Sequence, residues 1–155
     1  MIAEEQFKIQ SLTRQKLLAY LDHLSPEELS DIPYGFKNNI WWNIVHVVVT
    51  QQLLCYYLTG NEMTIDKEWV ENFKKGTAPN PDEVPTHEEI EEIKRLLITT
   101  QQELELDYKQ GIFTSYEDYP TSYGFVIKSI EDAILYNNIH EALHLGTVMA
   151  IKKLV

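Results

Sequence analysis

Residues 38–60 read NNIWWNIVHVVVTQQLLCYYLTG, and the fold turns on whether this run is strand or helix. Val47, Val48 and Val49 in a row favour a strand locally, because β-branched side chains suit a pleated, half-buried surface. Against that, Asn38 or Asn39 can cap a helix at the start, and Gly60 supplies a stop at the end. About twenty residues lie between those signals, several times the length of an ordinary strand. The run is therefore expected to be a long, largely buried helix.

The flanking sequence supports an all-α reading. Leu17, Leu18, Leu21 and Leu24 recur at helical spacing and predict a first helix over residues 3–24. Ser25-Pro26-Glu27-Glu28 combines a cap, a proline at the first helical position and acids in the first turn. It predicts a short helical turn that ends by Pro33 and Gly35. A minor helix is expected over residues 65–75, followed by a loop through Pro79 and Pro81. Thr86-His-Glu-Glu89 is a capping box for a further long helix whose face carries Ile90, Ile93, Leu97, Thr100 and Leu104 and which stops by Gly111. Residues 111–128 hold Phe113, Tyr116, Tyr119 and Tyr123, and an irregular segment so aromatic reads as a functional loop. Ser129 with Asp132 opens the last helix, which is expected to run to the C-terminus. Four long helices without strand alternation predict a four-helix bundle with a short extra helix and long connections, its topology left open.

Charge and cysteine usage narrow the function. The 155 residues carry 13 Lys+Arg against 24 Asp+Glu, a formal net charge of -11. Such a surface repels phosphate backbones and anionic headgroups, so neither nucleic acid nor a membrane is expected as partner. Cys55 is the only cysteine and admits no intrachain disulfide, and the acidic start MIAEEQFKIQ does not resemble a secretory leader. The expectation is a cytoplasmic single domain spanning residues 1–155.

The histidines carry the chemistry. His140 and His144 lie one turn apart on the last helix, about 40° apart in direction, so both can address one metal ion. His46 is the best third candidate, because an imidazole buried among valines is costly unless its nitrogens are satisfied. His23 falls in the last turn of the first helix and His87 in the first turn of another, where both read as ordinary surface residues. The residues alone leave two alternatives open: a metal site, or histidines that satisfy one another in the core.

The segments Asn39-Ile-Trp-Trp-Asn-Ile-Val-His46 and Asn137-Asn-Ile-His140-Glu-Ala-Leu-His144-Leu-Gly146 resemble the DinB-like (YfiT-like) family of metal-dependent proteins. In that family a histidine of the second helix joins an H-x-x-x-H pair on the last, and all three positions are filled here. The resemblance implies one DinB-like four-helix bundle over the whole chain, a divalent ion (zinc or nickel) on His46, His140 and His144, and a homodimer. Relatives include thiol transferases that use low-molecular-weight thiols. The resemblance therefore implies a metal-dependent thiol S-transferase or hydrolase acting on a small molecule. The alternative is a non-catalytic metal- or ligand-binding stress-response dimer.

Helical geometry names the neighbours. Trp42, Asn43 and Thr50 lie within roughly 60° of His46, with Tyr57 further along that stripe, while Asn137 shares the face of His140 and His144. Trp42, Asn43, Thr50 and Asn137 are thus candidates to support the ligands or orient substrate. Glu141 points about 100° away from His140 and is expected at a solvated rim or an interface. Cys55, about 180° around from His46, is expected to be buried and out of reach. Tyr116, Tyr119 and Tyr123 either close a pocket over the metal or pack their loop onto the bundle. Trp41 is expected in the core or at a dimer contact, and Arg14 and Lys37 are the only cations nominated for an anionic thiol.

Overall fold

A computed structural model describes residues 4–155, so Ala3, the expected start of the first helix, lies outside the described residues. The helices are α1 (Glu4–His23), α2 (Pro26–Ser30), α3 (Ile40–Cys55), α4 (Lys67–Phe73), α5 (His87–Gln110) and α6 (Ile130–Ile151). The caps do what their residues suggest. Ser25 and Thr86 each close a capping box, with Glu28 and Glu89 respectively, while Asn39 and Ser129 accept from backbone amides of the first turns. Gly111 ends α5 in the left-handed region at φ 73°.

The valine run is helix, and the reason is burial on every side. Ile40 to Val49 is an unbroken buried stretch, so α3 needs no polar face and its sequence shows no alternation. The helix is shorter than the predicted run. It ends at Cys55, and a 3-10 turn over Tyr57–Thr59 carries the chain to Gly60. The loop after α5 also differs, since Tyr119–Pro120 pairs with Val126–Ile127 in a two-stranded antiparallel hairpin, β1 and β2. α6 ends at Ile151, four residues before the C-terminus.

α3 packs on α5 and α6, and α1 packs on the same two helices. The pair α1 and α3 therefore occupies one diagonal of the bundle, with α5 and α6 on the other. The long helices do not follow one another around the bundle as simple up-down order would require. One apolar cluster gathers Leu17, Ile44, Val48, Ile93, Leu97 and Val148 from the four long helices. A second holds Phe7, Cys55, Tyr56, Leu104 and Ile134, and the hairpin adds Ile127 to it.

A buried ionic layer accompanies these clusters. Arg14 and Glu141 are 2% and 0% exposed and form a salt bridge at 2.8 Å. Arg14 also donates to the Leu97 carbonyl at 3.1 Å, to Thr100 Oγ1 at 2.7 Å and to Gln51 Oε1 at 3.4 Å. Glu141 receives Gln10 Nε2 at 3.0 Å and Asn137 Nδ2 at 2.8 Å. All four long helices contribute to this network. Two expectations fail here: Glu141 lies in the centre of the bundle instead of at a rim, and Arg14 is fully engaged instead of free to bind an anion. Periodicity placed Glu141 off the histidine face correctly, but only the packing of α1 shows that this direction points inward.

Candidate metal centre

Three histidines from two helices meet beside the core. His46 on α3 and His140 and His144 on α6 bring one nitrogen each to within 4.8 Å of one another. Two edges of this triangle are short, 3.2 Å between Nε2 of His46 and His140 and 3.1 Å between Nε2 of His140 and His144.

The outer nitrogens explain why Nε2 is the inward atom. His46 Nδ1 lies 2.6 Å from the Phe73 carbonyl oxygen, which only accepts, so Nδ1 carries the proton and Nε2 a lone pair. His144 Nδ1 lies 2.7 Å from Asn43 Oδ1. The amide of Asn43 cannot be turned around, because its Nδ2 donates to the Asn39 carbonyl at 2.7 Å and to Asn38 Oδ1 at 2.9 Å. His144 therefore also donates from Nδ1 and presents a lone pair at Nε2. His140 Nδ1 is buried with no partner. Carbonyl or amide acceptors behind the ring are the usual device for fixing a ligand imidazole.

Trp42 lies against His46 with ring centroids 4.4 Å apart and 13° between planes, and its Nε1 donates to Thr77 Oγ1 at 3.0 Å. Thr50 Oγ1 is 3.2 Å from His46 Nε2. Burial depresses all three imidazole pKa values from 6.5, His144 to about 4, with a nearby histidine adding to the effect at both His140 and His144. For His46 the bond to Phe73 opposes that effect. The rings are thus held neutral, the form in which histidine binds metals.

This donor set fits a divalent ion. Zinc–imidazole bonds of about 2.0–2.1 Å in a tetrahedron place ligand nitrogens roughly 3.3 Å apart, close to both short edges here. Lone pairs converging at such distances repel unless a proton or a cation lies among them.

Of the other sequence-predicted residues, Trp42, Asn43 and Thr50 touch the histidines, whereas Asn137 directs its amide NH2 to Glu141 in the ionic layer. Cys55 is wholly buried, and burial pushes its thiol pKa up. His23 and His87 are exposed. Trp41 packs edge-on against Trp69 and Phe73 and is buried, which is the core placement among the two expected for it. Phe73 was not legible as a partner, since it acts through its backbone and lies 27 residues from His46 in a different helix.

A pocket of about 390 Å³ opens on His46 and His140. Tyr119 lines it, as one expectation for the aromatic loop held. Tyr116 instead hydrogen-bonds the Leu54 carbonyl at 2.9 Å, and Tyr123 is exposed against Tyr136. A larger cavity, about 760 Å³, between α4 and the start of α5 has no histidine in its wall and is lined by carboxylates and aromatic rings, Trp42 among them.

The model of the DinB superfamily matches residues 11–148. The chain belongs to the DinB superfamily. Its fold matches a crystal structure described as the conserved protein of locus from Enterococcus faecalis, with a TM-score of 0.68 over 100% of this chain and 98% of that one. At 13% identity that likeness shows the shared fold alone. No curated protein matches the sequence. Among the described residues no helix is long and apolar enough to cross a membrane.

Proposed function

We propose that this DinB superfamily protein binds one divalent cation, zinc or nickel, through His46, His140 and His144, and acts with it as a thiol S-transferase or hydrolase on a small molecule. The convergence of three Nε2 atoms, two of them with Nδ1 pinned by acceptors, carries the reading. Three imidazoles leave a coordination position for substrate, and a cation bound there supplies Lewis acidity and draws the pKa of a bound water or thiol toward neutrality.

The protein's own groups have separate tasks. The Phe73 carbonyl and Asn43 fix two tautomers, and the indole of Trp42 holds the His46 ring in plane. The adjoining pocket has no carboxylate in its wall, so no side chain there is a ready general base. That favours chemistry whose nucleophile the cation activates directly.

The reading includes a homodimer, and α6 supports it. Its outer face exposes Leu135, Ile139, Leu143 and Met149 at 43–52%, and a second copy would cover this apolar strip. The single buried thiol suits a cytoplasmic setting.

Metal content by mass spectrometry on untagged protein tests the reading, beside His144→Ala. About one ion per chain in the wild type, lost in the variant, is expected. Turnover of thiol adducts or esters that stops on chelation separates the enzyme from a non-catalytic metal binder. No metal in either protein after incubation with zinc and nickel refutes the site.

A further inference from the structure

We infer that the pocket beside the histidines takes a small amphipathic anion, with an apolar body against Leu53, Leu54 and Leu58 and its negative group at Lys75. The inference deepens the proposed function by naming the substrate class of the same site.

Four cavities can be compared by wall chemistry. The 760 Å³ cavity carries Asp66, Glu68, Glu83, Glu88, Glu89 and Glu92 and no cation. Two others, near the ends of α1 and α5, include Glu4 together with Glu105 or Glu131. The histidine pocket alone among the four has no acidic residue in its wall, in a chain with 24 of them. Lys75 is its one lysine or arginine, and no ion pair with a described residue occupies that ammonium. Its neighbour Lys74, by contrast, is paired with Glu71 at 2.6 Å.

The position of Lys75 is tied to the site. It follows by two residues the Phe73 carbonyl that holds His46, so the segment fixing a ligand also carries the cation. Apart from the two histidines, the remaining wall is leucine, tyrosine and the small hydroxyl residues Thr50, Thr121 and Ser122, so its other polar groups are neutral hydroxyls. The volume corresponds to about a dozen water molecules, room for a ligand of modest size. The net charge of -11 acts against polyanions and favours a ligand with a single negative charge.

The probes are octanoate, octanamide and octylamine, titrated calorimetrically at low salt into metal-free and zinc-loaded protein. In metal-free protein octanoate should bind about fivefold more tightly than octanamide, and octylamine more weakly than either. Lys75→Gln should reduce the octanoate preference to less than twofold and leave octanamide binding and zinc content unchanged. Ser122→Trp, an exposed change in the pocket wall, should abolish binding of all three probes while the circular dichroism spectrum is retained. Equal binding of octanoate and octanamide, tighter octylamine, or a Lys75→Gln variant indistinguishable from wild type overturns the inference. Because the preference is read without metal, a protein that binds octanoate but no zinc would refute the metal reading alone.

Discussion

Replacing Glu141 with alanine removes the partner of a guanidinium that is only 2% exposed. Three of the contacts made by Arg14 go to that carboxylate, through Nε and Nη2, at 2.8 to 3.2 Å. Gln10 and Asn137 lose an acceptor at the same time. Removing one member of a buried ion pair costs about 3–5 kcal/mol, most of it from stranding the other charge. Against a total stability of about 5–15 kcal/mol, that is about a fifth or more. A chain of this size loses about 2–4 °C of Tm per kcal/mol, so Glu141→Ala should melt roughly 6–20 °C lower. The decisive comparison is the double variant Arg14→Met/Glu141→Leu. It removes both charges, keeps apolar volume, and should recover most of the loss. Urea unfolding followed by circular dichroism at 222 nm gives all four corners of the cycle. A Glu141→Ala penalty below about 1 kcal/mol, or a double variant no more stable than Glu141→Ala, refutes the claim that the pair is desolvated and mutually dependent.

Other outcomes are expected from the same structure. Asn43→Ala frees the Nδ1 of His144 and should weaken zinc affinity about 10–100-fold in a competition titration, with the fold unchanged. The metal-free protein should lose stability in acid: the folded-state pKa of His144 is about 4 against an ordinary 6.5, so below pH 6.5 the unfolded chain binds more protons. Its urea midpoint should hold above pH 6.5 and fall steadily toward pH 4, and a flat profile would contradict the buried neutral imidazoles. Gly111→Ala forces a Cβ into the left-handed region at φ 73° and should cost about 1–2 kcal/mol by chemical denaturation, although nothing lies within 4 Å to clash. Leu143→Glu should convert a dimer to monomer in sedimentation velocity without changing metal content, and an unchanged sedimentation coefficient would move the interface elsewhere.

Local rules made much of the molecule legible. Capping boxes at Ser25 and Thr86, the cap at Ser129 and the stop at Gly111 are contacts between near neighbours, so they survive any tertiary arrangement. The convergence of His46 with His140 and His144 was also readable, because one pair shares a helix face and the third was costly to bury alone. What escaped depends on which surface a second helix covers. Phe7, Gln10, Arg14, Leu17 and Leu21 form the buried stripe of α1. Polar residues at two of those positions hid the stripe's first half and with it the ionic layer. The end of α3 at Cys55 escaped for a similar reason, since Tyr56 turns to place its hydroxyl 2.7 Å from Asp107 on α5.

α6 shows why a functional helix resists reading by amphipathicity. Taking His140 as the origin, His144 lies about 40° round the axis, while Val148, Glu141 and Ile134 lie about 80–120° round and face the core. Leu135, Ile139, Leu143 and Met149 occupy roughly 180–300° and are about half exposed. One helix thus presents ligands, a buried charge and an apolar outer strip, and no single apolar direction dominates. The three faces are mechanically coupled through the shared backbone. A one-residue slip of α6 would rotate it by about 100°, removing Glu141 from Arg14 and both histidines from His46 together. This coupling predicts that the buried pair pins the register of the histidine cluster, and the double apolar variant supplies the test. If it regains wild-type stability yet binds zinc more weakly, the pair fixes α6 in register; if zinc binding is retained in full, packing of the apolar clusters alone sets that register.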